Sequence, residues 1–356
     1  MPSTESQRNL ALVTGFPGWL GNRLVHYLHE PHPDLPQKAA PRFARLRCLV
    51  LPGAATGEIQ ARYPDIELVQ GDLRDPGAVG RFCADAEGAT VFHLAGIIHP
   101  NRRISELYGI NLHGTQHLLA ATAAAGVRRV VAISSNSPAG DSRDPDMVFD
   151  ESSPYRPYMN YGRSKKLMED ALNAAHASGG VETTILRPCW FYGPDQPPRQ
   201  SLFFTLIRQG KAPIVGGGES RRSMSYVDNA ALGLLLAAAS ERAAGETYWI
   251  ADERPYSMNE IVDTVEDLLE NEFDLDVAHR RMRLPSAASQ VARAADAAIQ
   301  RAGFYQQKVH VLSEMNKTIA CSIEKARAEL GYRPGVQLRE GMRRSIAWCL
   351  SNGQQL

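Results

Sequence analysis

The feature that most constrains this chain is an alternation of short apolar runs with longer segments of helical periodicity between Leu10 and Arg187. This alternation is typical of β-α-β units, in which helices cover both faces of a buried parallel sheet. The sequence therefore predicts an α/β fold built on a doubly wound parallel sheet. The predicted strands are Leu10–Thr14, Leu46–Leu51, Ile66–Gln70, Thr90–Leu94, Arg129–Ser134 and Glu182–Arg187.

After Pro188 the pattern changes to loops rich in Pro and Gly, followed by helices with no regular strand between them. We therefore expect a sheet domain over residues 1–187, to which part of 225–255 returns, and a smaller, mostly helical lobe over residues 188–356. Four prolines between Glu30 and Arg45 exclude a regular helix there, because proline lacks the N–H that a helix interior needs. This stretch is expected to be a surface insertion.

Composition excludes several classes of protein. The 356 residues are 44% hydrophobic and 22% charged, which is typical of a globular protein. The 39 basic and 39 acidic residues cancel, so no extended positive field favours nucleic acid as a partner. The longest apolar run, Ala230–Ala239, is half the roughly 20 residues that a membrane span requires, and a buried helix is expected instead.

The cysteines and the first residues bear on metal sites and location. The five cysteines are scattered without a C-x-x-C pair, which argues against a zinc site and a disulfide framework, and no other metal site is expected. Residues 1–9 lack the apolar run of a signal peptide. Both observations favour a reducing, cytoplasmic location.

A glycine-rich turn follows the first predicted strand directly. Gly15, Gly18 and Gly21 form a G-x-x-G-x-x-G run that opens an amphipathic helix. Glycines in such a turn allow the backbone to approach a pyrophosphate closely, while the free N–H groups of the helix N-terminus attract the anion. The strand, turn and helix together therefore predict a dinucleotide site in a Rossmann fold.

This glycine spacing resembles the short-chain dehydrogenase/reductase superfamily, and further segments resemble its extended branch, the NAD-dependent epimerases and dehydratases. These are Gly71-Asp72-Leu73, the strand end 91–96 and Asn111 in an N-x-x-G-T run. The resemblance implies NAD or NADP as cofactor. It also implies the cofactor contacts, which are Gly15, Pro17, Gly18, Trp19, Leu20, Gly21, Leu51, Asp72, Leu73, Leu94, Ala95, Gly96, Tyr161, Lys165, Pro188 and Trp190.

A Tyr-x-x-x-Lys pair, Tyr161 and Lys165, lies on one face of a predicted helix. Ser134 and Ser135 end the fifth predicted strand, and ligands of doubly wound sheets bind at the carboxyl ends of strands. A tyrosine is a poor base at neutral pH, and a neighbouring ammonium would lower its pKa. By resemblance, Tyr161 exchanges a proton with the substrate oxygen, Ser135 hydrogen-bonds that oxygen, and Lys165 also holds the nicotinamide ribose.

The choice between NAD and NADP depends on the end of the second predicted strand. Leu51 stands there in place of an acid for the ribose 2′-hydroxyl or an arginine for a 2′-phosphate. The missing arginine slightly favours NAD, although Arg45 or Arg47 could still contact a 2′-phosphate.

Two substrate classes fit the resemblance. Trp190 occupies a position that is usually aromatic in the group similar to 3β-hydroxysteroid dehydrogenases, and Arg283-Leu284-Pro285 with the following alanine-rich helix resembles that group's apolar lobe. Arg222, ahead of Tyr226 and Asp228, instead resembles the arginine with which nucleotide-sugar epimerases and dehydratases bind a diphosphate. Substrate contacts are expected at Ser135, Asn136, Trp190 and Arg222.

We favour the first class, with oxidation of a secondary alcohol or reduction of its ketone on a largely apolar substrate: steroid-like, alicyclic or 3-hydroxyacyl. The alternative is a nucleotide-sugar epimerase or dehydratase. A less favoured hypothesis is a regulator that senses the cofactor without catalysis, although such proteins typically lose the tyrosine. Family members commonly pair through two helices of the sheet domain, so a homodimer is expected.

Overall fold

The computed structural model describes residues 10–36, 41–142 and 144–356. Seven of its strands form one parallel sheet in the order β3-β2-β1-β4-β5-β6-β11. The strands of the described residues are β1 Leu10–Thr14, β2 Arg45–Val50, β3 Glu67–Gln70, β4 Thr90–His93, β5 Arg129–Ile133, β6 Glu182–Pro188, β7 Trp190–Tyr192, β8 Pro213–Val215, β9 Arg221–Arg222, β10 Met224–Tyr226, β11 Thr247–Ile250, β12 Tyr256–Ser257 and β13 Met282–Leu284.

All six predicted strands are confirmed, each within one residue of its predicted ends. Five of them are buried along most of their length, as the apolar runs indicate, and β1, β4 and β5 are buried at every position, whereas the edge strand β3 is only partly buried. The chain order reverses between β1 and β4, which are neighbours in the sheet. Ligands of such sheets bind at this reversal, beyond the carboxyl ends of the strands.

Helices cover both faces of the sheet, which makes it doubly wound as predicted. The helices are α1 Trp19–His29, α2 Gly57–Arg62, α3 Pro76–Phe82, α4 Ser105–Leu107, α5 Thr115–Ala124, α6 Met159–Ala177, α7 Pro198–Arg208, α8 Val227–Ala239, α9 Met258–Asn271, α10 Ser286–Arg301, α11 Gln307–Glu314, α12 Glu324–Leu330 and α13 Leu338–Ser351, with a π-helical segment Tyr108–Gly114 and a 3₁₀ turn Glu241–Ala243. Apolar residues of α1 and α8 pack on one face, and those of α3, α5 and α6 pack on the other. The alanine-rich run is the interior of α8, which is buried as expected.

The expectation that no regular strand follows Pro188 is wrong. Strand β11 pairs with β6 and extends the sheet at its edge. Three small pairs, β7 with β10, β8 with β13 and β9 with β12, lie among the later helices. These strands have two to four residues, too few for the periodicity that marks the longer ones. A separate apolar core forms between α7, α9 and α13.

The proline-rich stretch contains no helix in its described part, since α1 ends at His29 and β2 begins at Arg45. Residues 37–40 lie outside the described part of the chain, as do residues 1–9. The stretch is not wholly a surface insertion, because His32 and Leu35 are buried. The His32 ring nitrogen Nε2 is 3.0 Å from the carbonyl oxygen of Asp228, which joins the stretch to α8.

None of the helices in the described part of the chain is long and apolar enough to cross a membrane.

Candidate active site

The glycine turn between β1 and α1 is folded tightly on itself. The Gly18 N–H donates to the Gly15 carbonyl at 2.9 Å, and a Cβ on Gly21 would lie only 2.4 Å from that carbonyl oxygen. Gly15 has φ of +86°, and a Cβ there would meet the Ala95 nitrogen at 2.7 Å. Only glycine fits at these positions, so the turn is a cradle of bare backbone. No side chain caps the N-terminus of α1, which leaves its N–H groups available to an anion.

The ends of β1 and β4 form the wall beside this turn. The Thr14 hydroxyl contacts the His93 ring at 2.8 Å and accepts from the Ala95 N–H at 3.2 Å. Burial and the charge of Lys165 lower the pKa of His93 to about 3, so this imidazole is neutral. Leu94 and Ala95 are half-buried and Gly96 is exposed, which places these predicted cofactor residues at the sheet edge.

Ser135 and Tyr161 meet beyond the end of β5. The Ser135 hydroxyl hydrogen-bonds to the Tyr161 side chain, and both residues are buried. Tyr161 stands in the first turn of α6, which is held against the 135–137 loop by Gly162. A Cβ on Gly162 would lie 2.6 Å from the Ser137 carbonyl oxygen, so the close approach requires glycine. Asn136 lies beside the pair, with its Oδ1 accepting from the Ser135 hydroxyl at 3.4 Å.

Lys165 lies one turn along α6 with a buried ammonium group. Its Nζ donates to the Ile133 carbonyl at 3.0 Å and contacts the Met168 sulfur at 3.4 Å. Burial lowers the pKa of Lys165 to about 8, although the Glu169 carboxylate acts in the opposite direction. A Cβ on Gly96 would lie 3.1 Å from Nζ, so the bare backbone after β4 makes room for the ammonium.

The expected lowering of the Tyr161 pKa by Lys165 does not occur in this structure. Burial raises the pKa of Tyr161 to about 12, and the Ser135 hydrogen bond and the Arg199 charge only partly oppose it. The physical reason is orientation, since the Lys165 ammonium is directed to the Ile133 carbonyl. Tyr161 is therefore a protonated phenol, suited to donate its proton.

Asn111 connects helix α6 to the segment after β4. Its amide donates to the Ile97 carbonyl and the Ser164 hydroxyl, both at 3.0 Å, while its oxygen accepts from the Ile97 N–H at 2.9 Å. It lies in the π-helical segment, a distortion that is frequent at functional sites. Asn111 therefore fixes α6 relative to the cofactor wall.

Glu169 of α6 and Arg187 of β6 form a buried ion pair, with a distance of 2.7 Å between Arg187 Nη2 and Glu169 Oε2. The same carboxylate accepts from the hydroxyls of Ser134 and Tyr155. The side chains of Glu169, Arg187, Ser134 and Tyr155 are all hydrogen-bonded within this network, so Arg187 has a structural role here. Ser134 donates to Glu169 in this network, whereas Ser135 hydrogen-bonds to Tyr161.

The residues predicted to contact the adenosine are Asp72, Leu73 and Leu51, and they make fewer contacts with the rest of the site. Asp72 pairs with Arg74 at 2.6 Å, and this guanidinium lowers the pKa of the carboxyl. Leu73 is buried against Gly114, and Leu51 is 57% exposed. The side chain at position 51 is therefore free to be varied without disturbing the core.

The 188–198 segment closes the other side of the glycine turn. The Trp19 indole donates to the Pro194 carbonyl at 2.6 Å, and Leu20 is half-buried beside it while Pro17 lies in the same turn. Pro188 is buried at the end of β6. Trp190 is half-buried, donates to the Gln200 Oε1 at 3.3 Å and packs edge-on against Phe203.

Arg222 lies deeper in the C-terminal lobe. Its Nη2 donates to the Glu314 carbonyl oxygen at 2.6 Å, while its Nε has no hydrogen-bond partner among the described residues. The carboxyl groups of Glu314 and Asp141 face its charge. Burial raises the pKa of Glu314, whose charge in turn acts on Tyr161. The carboxyl group of Glu314 in α11 thus acts electrostatically on Tyr161.

Helix α10, expected to line an apolar pocket, instead buries polar residues. The residues on its inward face are Ser289, Ala292, Asp296 and Gln300. Asp296 pairs with the buried His310 at 2.7 Å and accepts from Gln300, whose oxygen in turn accepts from Asn160, the residue before Tyr161. The sequence did not reveal this polar face, because Asp296 and Gln300 stand four residues apart in a helix that is otherwise rich in alanine.

Sequence reasoning missed Glu314, Asp296, His310 and Gln300, together with Arg199, whose charge acts on Tyr161. They lie on separate helices and loops without a common spacing, so no motif connects them. Within the described residues, no cluster of His, Cys, Asp or Glu is arranged to hold a metal ion.

Comparison with known proteins agrees with this geometry. Residues 11–251 match the NAD dependent epimerase/dehydratase family. The chain belongs to this family. It is an NAD-dependent oxidoreductase of the extended short-chain type, and the cradle of bare glycine backbone fits that cofactor.

Individual relatives point to two kinds of substrate. Protein y4nL of Sinorhizobium fredii, which is uncharacterized, is 51% identical over 97% of this chain and 96% of its own. The 3beta-hydroxysteroid-dehydrogenase/decarboxylase isoform 1 of Arabidopsis thaliana is 29% identical over 97% of this chain and 80% of its own. The dTDP-glucose 4,6-dehydratase DesIV of Streptomyces venezuelae, solved with NAD bound, is 26% identical with a TM-score of 0.72, covering 96% of this chain and 97% of its own.

Proposed function

We propose that this enzyme interconverts a secondary alcohol and a ketone on a substrate with a largely apolar body, such as an alicyclic, steroid-like or 3-hydroxyacyl compound. The observation that carries the proposal is the buried Ser135 and Tyr161 pair at the carboxyl ends of the strands, beside Lys165 and the glycine turn. A proton donor and a hydrogen-bond donor meet there in a water-poor site next to the cofactor cradle. Such positioning is what carbonyl reduction requires.

The side chains divide the work between them. Ser135 would donate a hydrogen bond to the substrate oxygen, and Tyr161 would give that oxygen its proton during reduction. In the oxidation direction Tyr161 would accept the hydroxyl proton only as the phenolate, after its own proton has passed to solvent. The Lys165 ammonium would hold the nicotinamide ribose. Bound NAD supplies or accepts the hydride. The backbone N–H groups at the start of α1 would hold its pyrophosphate.

An apolar substrate body is supported by the aromatic surface next to the site. Trp190 and Phe203 pack edge-on with ring centroids 5.3 Å apart, and both are only partly buried. Rings of this kind offer apolar area that a substrate ring or chain can cover. The relative with a steroid substrate in its printed name is in keeping with this class.

A nucleotide sugar is the second candidate, and Arg222 favours it. The unpartnered Nε of this buried arginine could donate to a phosphate oxygen. Against this, the carboxyl groups of Glu314 and Asp141 already face the Arg222 charge, which leaves less positive charge for a diphosphate. We therefore keep the apolar class as the first proposal.

The test is a substrate screen with purified enzyme under NAD and NADP, following the absorbance of the reduced nicotinamide. Hydroxysteroids, alicyclic alcohols and 3-hydroxyacyl compounds form one arm, and UDP-, GDP- and dTDP-sugars form the other, where product analysis replaces absorbance for reactions without net hydride release. Saturable oxidation in the first arm supports the proposal. Turnover of a nucleotide sugar that is lost in Arg222→Ala would replace it with the second candidate.

Three expectations about the whole protein remain part of this proposal. NAD is preferred over NADP because no arginine stands at position 51, the chain forms a homodimer, and it acts in the cytoplasm. Binding without turnover of any compound in either arm would instead favour the regulatory hypothesis.

A further inference from the structure

Met159 stands two residues before Tyr161, in a backbone conformation that methionine rarely adopts. Its φ is +48°, which lies in the left-handed region. The other non-glycine residues of the described chain with positive φ are aspartates and a histidine, namely Asp85, Asp195, Asp274 and His279. Those residue types are enriched in this region, whereas methionine is not. The strained backbone at Met159 therefore persists only because its surroundings hold it.

The residue before Met159 is held by helix α11. Tyr158 is buried, and its hydroxyl hydrogen-bonds to the hydroxyl of Ser313, which is also buried. Because the Ser313 hydroxyl already donates to the His310 carbonyl at 2.6 Å, the Tyr158 hydroxyl is the donor in this bond. The Tyr158 N–H donates to the Ser137 carbonyl at 3.1 Å. Both the backbone and the side chain of Tyr158 are therefore fixed.

The residue after Met159 is held by helix α10. The backbone N–H and the side-chain amide of Asn160 both donate to the Gln300 Oε1, at 3.1 and 2.8 Å. The amide group of Gln300 donates to both carboxylate oxygens of Asp296 at 3.0 Å, so its oxygen has to face Asn160. Asp296 also pairs with His310 at 2.7 Å, and all three of these side chains of the lobe are buried. Because buried polar groups are costly to leave unpaired, this network resists rearrangement.

Tyr161 follows this fixed turn directly. Its side chain is hydrogen-bonded by the Ser135 hydroxyl, and the Gly162 N–H donates to the Tyr158 carbonyl at 2.9 Å, which joins the first turn of α6 to the same turn. If Met159 relaxed to a negative φ, the direction in which the chain enters α6 would change. The conformation of Met159 and the position of the Tyr161 hydroxyl are therefore coupled.

We propose that Ser313 and Gln300 are positioning residues for Tyr161. Their hydrogen bonds on either side of Met159 hold its left-handed conformation, which keeps the Tyr161 hydroxyl against Ser135. This inference rests on the proposed function, in which Tyr161 is the proton donor. A proton donor works only within hydrogen-bond reach of the substrate oxygen, so a small displacement lowers turnover while the glycine turn stays intact.

The first experiment observes Tyr161 itself and needs no substrate. The protein is labelled with 3-fluorotyrosine, and the fluorine NMR resonance of Tyr161 is assigned by its absence in Tyr161→Phe. Ser313→Ala and Gln300→Met should each shift or split this resonance, because Tyr161 leaves its position in part of the molecules. The matched control is Ser345→Ala, since Ser345 is likewise buried and donates to a carbonyl of its own helix, that of Gly341 at 2.8 Å. It should leave the resonance unchanged.

A second substitution at Met159 separates positioning from a general loss of structure. Glycine adopts positive φ as readily as negative φ, so Met159→Gly removes the strain that the two hydrogen bonds oppose. Added to Ser313→Ala, it should return the Tyr161 resonance toward its wild-type position. Met159→Val should displace the resonance further, because a β-branched residue is disfavoured at positive φ. If Ser313→Ala only loosened the lobe, glycine at position 159 would not correct it.

Turnover of a compound found in the substrate screen is measured in parallel. We expect kcat of Ser313→Ala to fall roughly 10- to 100-fold with unchanged affinity for NADH, and to recover in part when Met159→Gly is added. A Tyr161 resonance that stays unchanged in both Ser313→Ala and Gln300→Met, or a shift that Met159→Gly does not reduce, overturns the inference. A displaced resonance with wild-type turnover supports the positioning of Tyr161 but contradicts its role as proton donor, so the two proposals fail separately.

Discussion

The two sides of the site are built in different ways. The cofactor side consists of backbone and short-range geometry, with three glycines in one turn and a serine, a tyrosine and a lysine at the ends of adjacent elements. The C-terminal side consists of charged and aromatic side chains from distant segments, among them Arg199, Arg222 and Glu314. We therefore propose that the first side provides the chemistry and the second selects the substrate. The following experiments test that division.

The largest effect is expected for Tyr161→Phe, which removes the proton donor of the cofactor side. Loss of a positioned acid or base lowers turnover by roughly 10² to 10⁴. Affinity for NADH, measured by fluorescence, should remain because the glycine turn is untouched. Tyr63→Phe serves as the control. The Tyr63 hydroxyl lies 2.8 Å from the His26 ring nitrogen Nδ1, and this contact is outside the site. A Tyr161→Phe enzyme with wild-type turnover would place the proton donor elsewhere.

The second effect concerns the bare backbone of the glycine turn. In Gly21→Ala the new Cβ would lie 2.4 Å from the Gly15 carbonyl oxygen, so the turn must open. We expect destabilisation of about 1 to 3 kcal/mol, as overpacking usually costs, and weakened NADH binding. Calorimetry and fluorescence titration measure the two quantities.

Gly80→Ala is the matched control, because a Cβ there meets nothing within 4 Å. It stands inside helix α3, where alanine should stabilise by roughly 0.5 to 1 kcal/mol. If Gly21→Ala binds NADH as tightly as Gly80→Ala does, the turn does not hold the pyrophosphate.

These two predictions concern the side of the site that sequence patterns describe well. The apolar strands and the glycine spacing are local, so each could be assigned from a few consecutive residues. Arg199, Glu314 and the pair of Asp296 with His310 could not, since they stand on α7, α10 and α11 and only the folded chain sets their interactions with one another and with Tyr161. Even on the cofactor side, the pKa of Tyr161 could not be foreseen, because it depends on burial and on where the Lys165 ammonium is directed.

The third effect is a pH dependence set by Lys165. Its pKa, lowered by burial to about 8, means that the ammonium form dominates below pH 8 and is lost as the pH rises above it. Tyr161, with a pKa of about 12, stays protonated throughout this range. For ketone reduction we therefore expect kcat/KM to be level below pH 8 and to fall by up to about tenfold per pH unit above it.

Two variants locate this decline. Lys165→Arg carries a charge that is not lost in this range, so its residual activity should lack the alkaline decline. Lys166→Met changes a partly exposed lysine that pairs with Asp170, and it should keep the wild-type profile. A wild-type profile that is level to pH 10 would show that the Lys165 charge does not control the rate.

The smallest effect is expected at Leu51. This residue lies on the cofactor side of the site, but its side chain does not hold any other group in position. Its side chain is 57% exposed at the end of β2, so a charge introduced there remains solvated and acts weakly on a neighbouring phosphate. Leu51→Arg should shift preference toward NADP and Leu51→Asp toward NAD, each by about three- to tenfold in kcat/KM, because a 2′-phosphate attracts a guanidinium and repels a carboxylate. Val291→Asp, at a site on α10 that is 69% exposed, controls for added charge alone and should leave the ratio unchanged. Opposite shifts in the two Leu51 variants would place the adenosine ribose beside β2. Equal NAD to NADP ratios in both variants would mean that another residue contacts the ribose. The basic candidates on β2 are Arg45 and Arg47, and both of them pair with Glu67.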